Sequence, residues 1–166
     1  MANKKGLDFS FELAGDGRDR RKLQDLVKTL NLEQKIHFLG NLPLKSMPEL
    51  YNKADVLLVS LKSGSHFSKT IPGKLQSYMA ARKPVLGMIS GEGKSVIEES
   101  NCGFVSEAGD IKVFINHLFS FVRLTQSQMN RLGLNGYEYY KNNFDREKLI
   151  NDFIHHLSEL HAARCS

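Results

Sequence analysis

Two short runs of almost unbroken apolar residues, Val56–Ser60 and Pro84–Ile89, constrain the fold most. A strand with one wet face alternates apolar and polar residues. A strand that is apolar throughout is covered on both faces, as in a parallel sheet. Parallel strands need long crossovers, and the chain supplies helical periodicity between the runs. After Val56–Ser60 comes a loop rich in Ser and Gly, then Thr70-Ile71-Pro72-Gly73-Lys74, where a helix can start. Thr70 is a good N-cap, and Pro72 is favoured in a first turn because its missing N–H would be unpaired there. Ile71, Leu75, Tyr78 and Met79 then form one apolar stripe of a helix over Thr70–Arg82, and Leu75, Tyr78 and Met79 are expected in the core.

The rest of the chain keeps the alternation. Leu7, Phe9, Phe11 and Leu13 alternate as a strand, and Gly15-Asp16-Gly17 turns it, with Asp16 as the expected cap of the next helix. Leu23, Leu26, Val27 and Leu30 give that helix an apolar face for packing. Ile36–Leu39 reads as a strand, Ser46–Ala54 as a short helix capped by Ser46, and Gly103–Val105 as the last strand. A short helix through Val96 and Ile97 lies between the final two strands. Helices follow at about Asp110–Arg123, Thr125–Lys141 and Asp145–Leu160, with Asp110, Thr125 and Asp145 at their starts. Gly133 and Gly136 each cost the second of these about 1 kcal/mol against Ala, which suggests close packing. The pattern predicts an α/β fold: a Rossmann-like, doubly wound parallel sheet with a helical C-terminal segment, residues 1–166 forming one domain. Ligands of such sheets bind beyond the carboxyl ends of the strands. The loops there are Gly15–Gly17, Gly40–Pro43, Ser60–Thr70 and Ser90–Lys94. The start of the Thr70 helix, flanked by Lys69 and Lys74, is an anion site by its free N–H groups and dipole.

Composition sets outer limits. With 41% hydrophobic and 25% charged residues, the 166-residue chain has the balance of a globular domain. No apolar run approaches the roughly 18 residues of a membrane span. Cys102 and Cys165 are too far apart for a metal motif, and the six His form no ligand set, so neither a metal nor a disulfide framework is expected. Such cysteine usage fits a reducing, cytoplasmic compartment. The net charge of +5 suits phosphate ligands or an anionic membrane surface. The basic residues are scattered without an aromatic-interleaved stripe, which argues against nucleic acid.

Two nucleotide motifs are nearly present and fail. Gly15-Asp16-Gly17 opens a dinucleotide fingerprint, but the third glycine is replaced by Arg20, which argues against NAD or FAD and against a sugar-nucleotide epimerase. Gly93-Lys94-Ser95 looks like the end of a P-loop, but Met88 stands where its first glycine belongs. No GxSxG, CxxC or HExxH occurs, and no catalytic residue is assigned.

Five segments then occur in a telling order. They are FELAGDG (Phe11–Gly17), IHFLGNLP (Ile36–Pro43), LYNKADVLLVSL (Leu50–Leu61), PGKLQSYMAARKPVLG (Pro72–Gly87), and the Gly103 turn with its closing helices. Together, over Leu7 to about Leu160, they make the chain resemble the C-terminal, donor-binding domain of family 4 GT-B glycosyltransferases. The wording SKTIPGKL is closest to members that build bacterial O-antigen and capsule polysaccharides, part of surface and lipopolysaccharide biosynthesis. The resemblance implies that the backbone of Gly40, Asn41 and Leu42 meets the nucleotide base. It implies that Thr70, Ile71, Pro72, Gly73 and Lys74 meet the diphosphate. His66 and Lys69, in the loop Ser65–Lys69, and Gln76 with Ser77 would face the donor sugar and ribose.

The sequence departs from that family in two ways. The family's two glutamates, eight residues apart, are replaced by Lys69 and Ser77. A serine can bond a ribose hydroxyl, without the charge-assisted strength of a carboxylate. The family's first βα unit, which supplies an Arg and a Lys to the diphosphate, and its acceptor-binding N-terminal domain have no counterpart ahead of Leu7, so a fragment of a longer enzyme is expected. In the full enzyme the resemblance implies retaining transfer of a hexosyl or N-acetylamino sugar from a UDP-sugar, with no metal and no cofactor. The acceptor would be a glycan or lipid-linked glycan at the inner membrane face, engaged through the N-terminal domain, with peripheral membrane contact. The fragment alone is expected to be inactive. The alternative is a non-catalytic Rossmann-like module that binds a nucleotide or a protein.

Overall fold

A computed structural model describes residues 9–62, 64 and 69–164. The chain divides into two compact units, Met1–Leu50 and Tyr51–Ser166. In the first, β1 (Phe11–Ala14) pairs in parallel with β2 (Ile36–Gly40), joined by α1 (Arg20–Thr29). Leu13 lies opposite Phe38 and Ala14 opposite Gly40, so Leu39 is an extra residue in the ladder. This bulge falls where the chain leaves β2 for the Gly40 loop and re-aims it.

The expected strand is shorter than its alternation: Phe9 and Ser10 lie ahead of β1, and Leu7 falls outside the described residues. Asp16 does not cap α1. The cap position is Asp19, without a side-chain bond, and Asp16 instead binds Arg20. Of the apolar face of α1 only Val27 is buried; Leu23, Leu26 and Leu30 are 44%, 51% and 54% exposed. Periodicity identifies the face correctly, but among the described residues only its Val27 is covered. A 3-10 turn, Leu44–Ser46, then leads into α2 (Met47–Lys53), so Ser46 closes that turn instead of capping the helix.

The second unit is built on a parallel sheet ordered β3 (Leu57–Ser60), β4 (Val85–Met88), β5 (Gly103–Ser106). Val85 and Leu86 point to opposite faces of β4, and both are buried, at 0% and 2% exposure. Both faces are therefore covered, as the apolar runs predict. On one face Val85 joins Leu75 and Met79 of α3 (Gly73–Ala80) and Ile97 of α4 (Glu92–Ser100) in a single cluster. On the other, Phe104, opposite Leu86, stacks on His117 and meets Phe121 edge-on, both from α5 (Ile111–Val122).

The C-terminal helices follow the sequence reading closely. Asp110 accepts from the N–H of Val113 at 3.0 Å at the start of α5. Thr125 and Gln128 form a reciprocal capping box on α6 (Gln126–Asn143). Asp145 accepts from the N–H of Lys148 at 3.1 Å at the start of α7 (Arg146–Arg164). Gly133 and Gly136 do mark close packing: a β-carbon on Gly133 would stand 2.1 Å from the Arg82 carbonyl oxygen, and one on Gly136 2.9 Å from Cys102 Cβ. Leu149, Ile150, Phe153, Ile154, Leu157 and Leu160 of α7 are exposed. No helix among the described residues is long and apolar enough to cross a membrane.

Candidate functional site

Each unit carries one of the expected contact regions at the carboxyl end of its strands. In the Tyr51–Ser166 unit this region is the start of α3. The helix begins later than Thr70: its cap position is Pro72, with extended backbone (φ −62°, ψ 131°) and no side-chain cap bond. The residue before a proline is driven out of the helical region, so Ile71 cannot begin the helix. Ile71 instead packs against the core cluster. Gly73 and Lys74 are exposed and open the helix, and their N–H groups have no acceptor within it. Space around Gly73 is open: a β-carbon there would meet nothing within 4 Å.

Lys69 and Thr70 are exposed just upstream, Gln76 is half-buried and Ser77 is exposed. The Ser77 hydroxyl donates to the Gly73 carbonyl at 3.2 Å, a bond back along the helix that leaves its oxygen able to accept. His66, with Ser65, Phe67 and Ser68, lies outside the described residues. As expected, Leu75, Tyr78 and Met79 are core, with 0%, 9% and 0% exposure.

One residue of the expected Ser90–Lys94 loop also reaches this helix start. Gly93, in the first turn of α4, would with a β-carbon stand 2.6 Å from Ile89 Cδ1 and 3.1 Å from Pro72 Cδ. The glycine makes room first for Ile89 and then for the α3 cap at Pro72. The failed P-loop pattern drew attention to Gly93 without indicating this contact.

The loop entering α4 is pinned by charge. Ser90 Oγ donates to Glu107 Oε2, Lys94 Nζ lies 2.7 Å from Glu107 Oε1, and the Ala108 N–H donates to Ser90 Oγ at 3.1 Å. The bond from Lys94, aided by that from Ser90, holds the Glu107 carboxyl below its ordinary 4.5, while Lys94 is raised by its bond to Glu107. A lowered carboxyl supports the fold above its unfolded value and loses that support as pH falls through the folded one. The Glu107 side-chain carbon should therefore titrate below 4.5 by NMR, and above its wild-type midpoint in Lys94→Met. A wild-type midpoint at or above 4.5 contradicts the pinning.

In the Met1–Leu50 unit the region is the loop after β2. Gly40 is buried with φ of 69°, a left-handed conformation that favours glycine. Asn41 is exposed and Leu42 half-buried. The N–H of Gly15 donates to the Gly40 carbonyl at 2.7 Å, tying the two loops together. A separate groove of about 400 Å³ runs between α1 and β2, lined in part by Arg21, Asp25, Lys28 and Glu33. It reaches Ile36 at the amino end of β2, away from Gly40, and so lies apart from the expected base loop. Among the described residues no group of three or more His, Cys, Asp or Glu could hold a metal ion.

Parallel strands with glycine loops and an exposed helix start at their carboxyl ends define the class of doubly wound α/β domains. Within that class, residues 1–139 match the family described as glycosyl transferases group 1, and the chain belongs to that family. A protein of Methanocaldococcus jannaschii named uncharacterized glycosyltransferase MJ1178 is 31% identical over 150 residues, 88% of this chain and 39% of its own length. WcaL of Escherichia coli (strain K12), a protein named for colanic acid biosynthesis, is 21% identical over 93% of this chain and 38% of its own length. The crystal structure of Anabaena Alr3699/HepE in complex with UDP superposes with a TM-score of 0.81 at 19% identity, over 95% of this chain and 43% of that one. The chain thus spans about two fifths of the length of these relatives.

Proposed function

We propose that this chain is the donor-binding domain of a glycosyltransferase that moves a sugar from a nucleoside diphosphate to a hydroxyl acceptor. The observation that carries the reading is the exposed start of α3, where Gly73 and Lys74 open a helix above a covered sheet in a chain of this family. Thr70, Ile71, Pro72, Gly73 and Lys74 receive the diphosphate, with helix N–H groups and dipole stabilising the charge that grows as it leaves. Gly40, Asn41 and Leu42 receive the base. Lys69, Gln76 and Ser77, with His66 in the preceding loop, face the ribose and sugar. Uridine is the preferred nucleoside, on the strength of the UDP held by the Anabaena relative. Transfer proceeds with retention and needs no metal. The acceptor is a glycan of a surface polysaccharide or its lipid-linked precursor at the inner membrane face, in keeping with the colanic acid name of the Escherichia coli relative.

We further propose that the domain is part of a longer polypeptide. The chain spans about two fifths of the length of the relatives it matches, and the family's first βα unit would lie ahead of β1 in the longer protein. The exposed leucines of α1 and apolar face of α7 are surfaces such added elements would cover.

A binding module without turnover is the second reading. It is favoured by the lack of a carboxylate at Lys69 and Ser77 and by the commitment of the Ser77 hydroxyl to Gly73. A chemical-shift titration with UDP, GDP and AMP tests both. The donor reading predicts selective shifts for one diphosphate at Gly40–Leu42 and Ile71–Lys74. A protein-binding module predicts none; a nucleotide-binding module predicts shifts as well, and sugar transfer by the full-length parent separates it from the donor reading. The 166-residue chain is expected to bind without consuming UDP-sugar, and turnover by the purified chain would overturn the fragment reading.

A further inference from the structure

The residue that breaks the dinucleotide fingerprint places a cation at the Gly40 loop. Arg20 opens α1, and its side chain, 31% exposed, reaches across to β2. The point where a β-carbon would stand on Gly40 is 3.5 Å from Arg20 Nη1, 3.7 Å from Nη2 and 4.0 Å from Cζ. Both terminal nitrogens are nearer than the carbon, so the guanidinium presents its forked edge to the space over Gly40. Asp16 Oδ1, 3.3 Å from Nη1, steadies that fork. The bond from the Gly15 N–H to the Gly40 carbonyl fixes one loop against the other. A β-carbon at position 40 would stand in ordinary van der Waals contact with the guanidinium, so the fork lies against the Gly40 loop itself.

We propose that Arg20 is a base-contacting, specificity-determining residue that favours nucleobases presenting a carbonyl oxygen over those presenting an amino group at the same place. The inference rests on the reading of Gly40–Leu42 as the base loop. A guanidinium carries only donors, five of them, and no acceptor. Uracil offers a carbonyl at C4 where cytosine has an amino group; guanine offers O6 and N7 together, the pair an arginine fork matches, where adenine has an amino group beside N7. A donor fork aimed at that position meets an acceptor in the oxo bases and another donor in the amino bases. Asp16, whose oxygen holds Nη1, sets the aim of the fork and is a positioning residue.

UDP and CDP differ in the base at C4, oxo against amino, and at the adjacent N3, a donor in uracil and an acceptor in cytosine; GDP and ADP carry the oxo-against-amino contrast to C6 of the purines. Titration of the 166-residue chain, followed by backbone amide shifts, should give tighter binding of UDP than CDP by at least about fivefold. In Arg20→Met that ratio should collapse to near one, while shifts at Gly40–Leu42 persist. Arg20→Lys, which keeps the charge without the fork, should restore only part of it. A ratio near one in the wild type, or one unchanged in Arg20→Met, overturns the inference and leaves the base loop standing. Shifts at Ile71–Lys74 with none at Gly40–Leu42 overturn the base-loop reading itself. No shift with any nucleotide overturns both. A merely structural Arg20 would lower the melting temperature without moving the ratio. If GDP over ADP is the larger preference, guanine is the favoured base.

Discussion

Gly133→Ala lowers the stability of the Tyr51–Ser166 unit by about 3 kcal/mol, at the upper end of the cost of overpacking. The added methyl would stand 2.1 Å from the carbonyl oxygen and 2.8 Å from the carbonyl carbon of Arg82, both backbone atoms. That backbone has little freedom to retreat. Arg82 sits in a left-handed conformation (φ 56°), and its guanidinium lies 4.0 Å from the centroid of the Tyr137 ring, one turn along α6. The next residue, Lys83, donates through Nζ to the Asn52 carbonyl at 2.8 Å. In an exposed helix the same change would stabilise by about 1 kcal/mol, so the sign of the effect is itself informative. The midpoint of thermal unfolding should fall by roughly 6–12 °C. Leu134→Ala, next door and 48% exposed, should change stability by less than about 1 kcal/mol. An unchanged midpoint in Gly133→Ala would mean that α6 does not rest on the end of α3.

The second large effect is on binding. Lys74→Glu should weaken UDP binding about tenfold, since it removes a cation and adds an anion where the diphosphate is proposed to sit, each worth up to about 1 kcal/mol. The same change should leave the fold intact or slightly more stable, because an acidic residue in a first turn complements the helix dipole. Affinity and stability thus move in opposite directions, which a merely unfolded variant cannot imitate. Lys74→Gln should give about half the loss in free energy. Isothermal titration together with a melting curve reads both quantities. An affinity for UDP unchanged in Lys74→Glu would remove the α3 start from the donor site.

Much of this was legible in the sequence because it is local. The caps at Asp110, Thr125 and Asp145 depend on residues within three positions. The buried parallel strands announce themselves by having no polar face to show. Gly133 and Gly136 could be read as contact points because a helix keeps glycine at a cost only where something else needs the room. The errors have physical reasons as well. Thr70 has the chemistry of a cap, but Pro72 two residues on disfavours helix at the residue before it, and the helix starts at Gly73. Asp16 also has capping chemistry, and an arginine one turn away claimed its carboxylate. The leucines of α1 form a true apolar face, yet periodicity says nothing of what covers it.

The candidate site was legible in part. Resemblance supplied the regions around Gly40 and Gly73, and the open space at Gly73 suits that expectation. The approach of Gly93 to Pro72 and of Arg20 to Gly40 joins residues about twenty positions apart. No local pattern encodes such pairs. The broken fingerprint at Arg20 was the one visible sign, and it read as the loss of a motif.

The most direct test of the account is a crystal structure of this chain grown with UDP. The β-phosphate should lie within hydrogen-bond reach of the Gly73 and Lys74 N–H groups, and the uracil against the backbone of Gly40–Leu42. UDP bound elsewhere, for instance in the groove beside Lys28 and Ile36, or no UDP bound at millimolar concentration, would contradict it.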